Sequence, residues 1–213
     1  MPTELLLGGV LVAALILYAL FGGADFGGGV WDLLASGPRQ ARQRELIARA
    51  LGPVWEVNHV WLILAVVILF SAFPRAFAAL SVALHVPLTL LLLGIIFRGT
   101  AFTFRTYDAR GDAVQRRWGL VFSMASVLSP ALLGMCVGAV VSGDIRVQGL
   151  TVVSGFFSAW LSPFALAVGA LALCLFAFLA AVYLTAETRE PGLQEDFRKR
   201  ALGAGVAVFL AAF

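Results

Sequence analysis

Charge is what this sequence most conspicuously lacks. Asp, Glu, Lys and Arg make up only 13% of the 213 residues, while hydrophobic residues make up 61%; soluble domains keep about a quarter charged and about half apolar. That balance excludes an ordinary soluble domain and points to an integral membrane protein. Cysteine is scarce too. Cys136 and Cys174 stand alone in long apolar runs, which excludes a disulfide framework or cysteine metal motif and fits small, weakly polar core filling. No basic residue precedes Arg39, and the first apolar run follows only Glu4. A secretory signal needs a basic start and an apolar stretch of about 7–15 residues, so the first segment is expected to stay as a membrane span. The net charge of +3 suggests no nucleic-acid partner, because the basic residues lie in short loops between apolar runs. No soluble domain, low-complexity linker or regular short repeat is present.

What remains is a succession of long hydrophobic segments. A helix needs about 20 apolar residues to cross the hydrocarbon layer, and five candidates satisfy this: roughly 5–34, 54–73, 76–97, 118–142 and 160–186. A sixth apolar stretch starts near 201 and reaches Phe213, too short to span, so the chain is expected to be a fragment of a longer protein. The fold expected is an all-α polytopic transmembrane bundle, with a first four-helix bundle over 1–142 and the start of a second over 143–213. Lys and Arg in short loops mark the cytoplasmic side. Arg39, Arg42, Arg44 and Arg49 follow the first span, Arg98, Arg105, Arg110, Arg116 and Arg117 the third, and Arg189, Arg198, Lys199 and Arg200 the fifth; the opposite loops hold only Arg75 and Arg146. The N-terminus is therefore expected outside. Phe73-Pro74-Arg75 reads as a tight external hairpin, and Ser129-Pro130 and Ser162-Pro163 hint at related helices.

Polar groups inside these spans are the candidate functional residues. GGADFGGGVWD, residues 22–32, sets Asp25 among glycines deep in the first span. An intramembrane carboxylate costs on the order of 2.5–3.5 kcal/mol on insertion scales and must face protein or water. Gly23 and Gly27, four apart, offer a bare face for close helix approach. Asp25 then reads either as half of a structural pair or as a proton-handling group. GPVWEVNHVWLI, residues 52–63, opens the second span with Trp55, Glu56, Asn58, His59 and Trp61. Pro53 suits a first helical turn, and Glu56 just inside it suits the positive end of the helix dipole. These five side chains read as an interfacial tryptophan belt, as a proton-uptake site at Glu56, or as partner contacts. Glu56 and His59 also have the Glu-x-x-His spacing of di-iron bundles, but no second copy accompanies them, so no metal site is assigned. His85, near Pro87, suits either a haem ligand or a contact to a neighbouring helix. Arg98 closes the third span in IIFRGTAFTFR, where it either snorkels to the interface or pairs with Asp25 at similar depth.

Taken together, GGADFGGGVWDLL, GPVWEVNHVWLI, FPRAF and FRGTAFTFR, with SPF at 162–164, resemble subunit II of the cytochrome bd-type quinol oxidases, including the cyanide-insensitive branch; the likeness covers an N-terminal portion of that subunit. It implies an oxidoreductase complex of the aerobic respiratory chain in the bacterial inner membrane, which oxidises quinol, reduces dioxygen to water and generates proton motive force. Haem b and haem d would be ligated by a partner subunit I, with no catalytic residue or metal in this chain. The family leaves room for a bound quinone and for a small accessory subunit. Glu56 matches a position implied in proton supply from the cytoplasm, with Asp25 the candidate for a deeper step of that route, and Asp25 and Arg98 match positions implied in supporting the haem interface or assembly. The competing reading is a proton-coupled secondary transporter, which also uses buried carboxylates and glycine-broken helices.

Overall fold

The computed structural model of the chain describes residues 2–107, 112–149 and 151–213; the side chains of residue 2, of Glu56, and of 105–107 and 112–116 lie outside that description. Among the described residues seven helices follow one another: α1 (Pro2–Leu33), α2 (Gln40–Ala72), α3 (Pro74–Ala83), α4 (His85–Tyr107), α5 (Asp112–Val141), α6 (Pro163–Glu187) and α7 (Pro191–Ala212). A small antiparallel hairpin, β1 (Val147–Gln148) and β2 (Thr151–Val152), lies between α5 and α6. Five helical stretches are long and apolar enough to cross a membrane: Thr3–Leu33, Gln40–Ala72, His85–Phe104, Arg117–Val141 and Pro163–Glu187. The polytopic helical bundle expected from composition is therefore the observed fold.

Three boundaries differ from the sequence reading, each for a local reason. The third span is not one helix over 76–97. Proline at 87 has no N–H for the carbonyl of Ala83 and its ring crowds that carbonyl, so the chain breaks at Leu84 (φ −110°, ψ 20°) and α4 starts afresh at His85. As a result α4 runs on to Tyr107, and Arg98 lies inside the span instead of closing it. Secondly, α2 does not begin at Pro53. It begins at Gln40 and carries Pro53 in its interior, with Leu46, Ile47, Ala50 and Leu51 buried against the rest of the bundle. Burial of that extra apolar face outweighs the single hydrogen bond the proline removes, and Glu56 ends up more than four turns from the helix start, beyond the reach of its dipole. Thirdly, the two Ser-Pro pairs are not equivalent: Ser162 caps α6, its side chain accepting from the Ala165 amide, with Pro163 in the first turn, whereas Pro130 lies inside α5.

Within the bundle, α1 is the central element, packed against α2, α5 and α6, while α4 packs on α5 and α7 on α6. Its glycines explain how. A Cβ on Gly27 would run into the Phe176 carbonyl of α6, one on Gly23 into Leu179 of α6, one on Gly29 into Ser126 of α5, and one on Gly28 would lie 2.6 Å from Leu51 of α2. Each bare position admits a different neighbour. The α5–α6 contact uses the same device: Cβ atoms on Gly134 and Gly169 would each stand within 2.7–2.8 Å of a facing backbone carbonyl. At the far end Phe73 turns the chain between α2 and α3, with Pro74 in the first turn of α3, and Trp160 and Ala159 from the α5–α6 connection pack over Ala83 and Leu84 at the helix break.

The basic end is clasped by polar contacts. Arg39 donates to both carboxylate oxygens of Asp196 at 2.5 and 2.9 Å, Gln43 donates to Asp196 at 2.9 Å, and Arg42 pairs with Glu190 at 3.1 Å. Arg200 donates to Gln43 and to the Leu34 carbonyl while lying over the rings of Trp31 and Phe197. The Arg39 guanidinium holds Asp196 below the usual carboxylate range. A carboxylate so depressed adds its stability at neutral pH and loses it only as pH falls through the lowered value.

Two outcomes test this architecture. Gly27→Ala overpacks the α1–α6 seam, a change of about 1–3 kcal/mol, so it lowers the melting temperature of the purified protein, whereas Gly203→Ala, which meets open space, leaves it unchanged or slightly raised. For orientation, Ser36 and Thr151 lie exposed at opposite ends. In a background with both native cysteines replaced, an impermeant maleimide labels Thr151→Cys in intact cells and Ser36→Cys only after permeabilisation; the reverse pattern inverts the topology.

Candidate functional site

Asp25 and Arg98 meet in the interior of the bundle, both essentially inaccessible at 0% and 2% exposure. Arg98 Nη1 donates to Asp25 Oδ2 at 2.8 Å, and Nη2 donates to Oδ1 at 2.5 Å and to the Asp25 carbonyl at 2.8 Å. Nε donates to Ser126 Oγ at 2.9 Å, and Ser126 in turn donates to the Phe122 carbonyl at 2.7 Å. The guanidinium plane lies between two rings, 4.8 Å from the centroid of Phe26 and 4.9 Å from that of Phe122. Three helices thus enclose one ion pair. The planar fork of arginine suits this enclosure, because it meets a carboxylate through two parallel hydrogen bonds and stacks its faces on aromatics.

A second carboxylate lies two turns further along α1. Asp32 is buried and accepts a hydrogen bond from Ser123 Oγ at 3.0 Å, while Trp31 beside it donates from Nε1 to the Ala177 carbonyl of α6 at 2.8 Å. The sequence reading overlooked Asp32, Ser123 and Ser126. The i, i+3 serines on α5 were the available signal, but serine satisfies itself within a helix so often that spacing alone does not single it out. Gly134 and Gly138 likewise form a G-x-x-x-G step that the reading passed over.

The α2 motif is divided between faces. Asn58 is fully buried against Gly22 of α1, where a Cβ would lie 3.2 Å from its Nδ2. His59 Nδ1 lies 2.9 Å from the Trp55 carbonyl, an acceptor only, so this contact requires the proton on Nδ1. The rings of Trp55 and His59 meet edge to face at 5.0 Å, and Trp55 stacks at 6.5 Å on Phe102 of α4. Trp61 packs beside Tyr18, Phe26 and Phe176. The Glu56 side chain lies outside the described residues. Glu56, Asp25 and Arg98 are therefore not a described cluster; Asp25 and Arg98 are.

For haem or metal the described residues offer little. His59 meets the Trp55 carbonyl through Nδ1 and keeps Nε2 free among the described residues, the arrangement in which an imidazole can ligate, and His85 and Met124 are exposed at the helix break and on α5. Among the described residues no three His, Cys, Asp or Glu side chains gather as metal ligands. No step through a haem follows from these residues.

Residues 3–213 match the family described as cytochrome bd terminal oxidase subunit II. The chain belongs to that family. It is 30% identical over 129 residues to cytochrome bd ubiquinol oxidase subunit 2 of Bacillus subtilis (strain 168), covering 59% of this chain and 37% of that relative. It is 28% identical over 183 residues to cytochrome bd-I ubiquinol oxidase subunit 2 of Escherichia coli (strain K12), covering 84% and 48%. The chain spans less than half the length of these relatives. Its fold is similar to that of a chain in the bd oxidase from Geobacillus thermodenitrificans, with a TM-score of 0.79, 24% identity, and coverage of all of this chain and 64% of the other. With five helices able to span a bilayer, this member of the cytochrome bd subunit II family is a multi-pass protein of the bacterial inner membrane.

The ion pair carries a direct test. Removing one partner strands a buried charge, which typically costs about 3–5 kcal/mol. Asp25→Asn and Arg98→Gln should each sharply reduce the folded protein recovered from membranes, and the double variant should lose less than the two losses combined. Additive losses in that cycle would show the two side chains to be energetically independent.

Proposed function

We propose that the chain acts as part of subunit II of a quinol:dioxygen oxidoreductase of the aerobic respiratory chain, seated against a haem-bearing subunit I. The observation that carries this is the family match over residues 3–213, which takes in the α1 glycine and aspartate stretch, the Trp-Glu-Asn-His stretch of α2 and the arginine of α4. On this reading haem b and haem d are ligated by subunit I. Quinol, a bound quinone and a small accessory subunit belong to the assembled complex. Residues 1–142 form its first four-helix bundle and 143–213 begin the second. A secondary transporter is the weaker reading, because its carboxylates need access to alternate sides, whereas both oxygens of Asp25 are fixed by Arg98.

Within the complex, the chain's contribution is proton supply and support of the interface. Reducing dioxygen to water consumes protons, and protons drawn from the cytoplasm need a titratable group in the apolar wall. Glu56 is that group. Trp55, His59 and Trp61 supply partner contacts, whereas Asn58 is fully buried and faces no partner, and the Asp25–Arg98 pair ties α4 to α1 beside them. In the whole oxidase, an optical spectrum of the purified complex should show b- and d-type haem bands, and the chain should co-purify with a larger haem-bearing subunit; a haem-free preparation of otherwise complete subunits overturns the assignment. Proton transfer by a positioned side chain is worth about 10²–10⁴-fold in rate. Glu56→Gln should slow oxygen consumption while leaving the haem spectrum intact, with Glu56→Asp retaining much of the rate. Parental turnover by Glu56→Gln across the pH range would remove Glu56 from proton supply.

A further inference from the structure

Asn58 has no exposed surface, and neither its Nδ2 nor its Oδ1 has a hydrogen-bond partner in the protein. Three residues on, on the same face of α2, the buried Nε1 of Trp61 is also without one. Both side chains face the same stretch of α1: Asn58 lies across Gly22, and Trp61 packs on the cluster of Tyr18, Phe26 and Phe176. Ser129 Oγ, facing Gly94 across the α4–α5 contact, is a further buried group without a partner. These positions form a layer. Gly22 stands one turn from Asp25, Gly94 one turn from Arg98 and Ser129 one turn from Ser126, each toward the end of the bundle where α1 begins. The layer of paired charges is thus backed by a layer of unpaired polar groups.

A primary amide offers two donors and two acceptor sites, and burying one unsatisfied in an apolar medium is strongly unfavourable. More than about 90% of such groups in folded proteins have a protein or water partner. The partner here must be small, because no lipid headgroup or side chain from another subunit can reach a residue with no exposed surface. It must both accept and donate, because Asn58 presents Nδ2 and Oδ1 together while Trp61 only donates. Buried water, which typically makes about three hydrogen bonds to otherwise unpaired groups, has this chemistry.

We propose that the Asn58 amide and Trp61 Nε1 bind an internal water between α1 and α2, one turn from the Asp25–Arg98 pair. Gly22 is part of the site, since a side chain there would press on the amide. The site is built from Asn58, Trp61 and Gly22 and does not use Glu56, so it stands independently of proton uptake through Glu56.

Two measurements on the assembled oxidase test this. A cryo-electron microscopy map of a quality that resolves ordered solvent should show density about 2.7–3.2 Å from Asn58 Nδ2 or Oδ1; a dry contact, or the amide bonded directly to an α1 carbonyl, overturns the site. The second measurement is the melting temperature of Asn58→Ser and Asn58→Leu. If water is bound, serine keeps a hydroxyl and gives the water more room, whereas leucine strands Trp61 Nε1, so the order is parent at or above serine, with leucine lowest. If the site is dry, leucine removes two unpaired polar atoms at similar volume and equals or exceeds the parent, with serine lowest for the space it leaves. That second order refutes the proposal.

Discussion

Everything near the centre of this bundle is arranged around the cost of holding a carboxylate and a guanidinium away from water. An ion pair in an apolar interior recovers its desolvation penalty only if the geometry is good and the remaining donors and lone pairs are satisfied. Asp25 and Arg98 meet that demand with two side-chain hydrogen bonds, a third to the Asp25 carbonyl and a fourth to Ser126. The aromatic faces of Phe26 and Phe122 close the plane on either side. Such an enclosure requires α5 to come close to α1, which Gly29 allows at Ser126, while Gly23 and Gly27 admit α6 and Gly28 admits α2.

The contacts at the basic end are of another kind. Arg39, Arg42 and Asp196 are partly exposed, and exposed pairs are worth about 0–1 kcal/mol each. Their value lies in being joined. Arg200 reaches the Leu34 carbonyl, Gln43 and the rings of Trp31 and Phe197 at once, so the α1–α2 turn and the first turns of α7 are fixed as a unit over the buried cluster of Leu46, Ile47, Leu193 and Phe197. The interior pair sets which helices approach α1, and the clasp sets how their ends are capped off from solvent.

Long-range order was legible in the sequence where one property dominated. Apolar length gave the number of spanning helices, because few other arrangements of such segments exist in lipid, and similar depth placed Asp25 and Arg98 near each other. What escaped the reading depended on competition between terms of similar size. Pro53 looked like a helix start because a proline inside a helix is unfavourable, yet α2 runs through it with the apolar face of 46–51 buried; Pro87 does break its helix, at Leu84. Arg98 looked like the end of a span because charge usually marks one. It lies inside because its partner is already there. Ser126, Asp32 and Gly134 could not be singled out from spacing, since their significance rests on what a neighbouring helix presents at the same height.

The geometry also separates two roles that one carboxylate could have held. A proton carrier must change charge on the timescale of turnover. Were Asp25 to take up a proton, Arg98 would be left as a buried cation facing a neutral acid, and the hydrogen bonds that join α1 to α4 would weaken at the moment the site was needed. The same penalty that makes the pair a sound structural joint makes it a poor relay. On the proposed reading the relay is instead Glu56 of α2, a helix to which, among the described residues, neither Asp25 nor Arg98 is hydrogen-bonded.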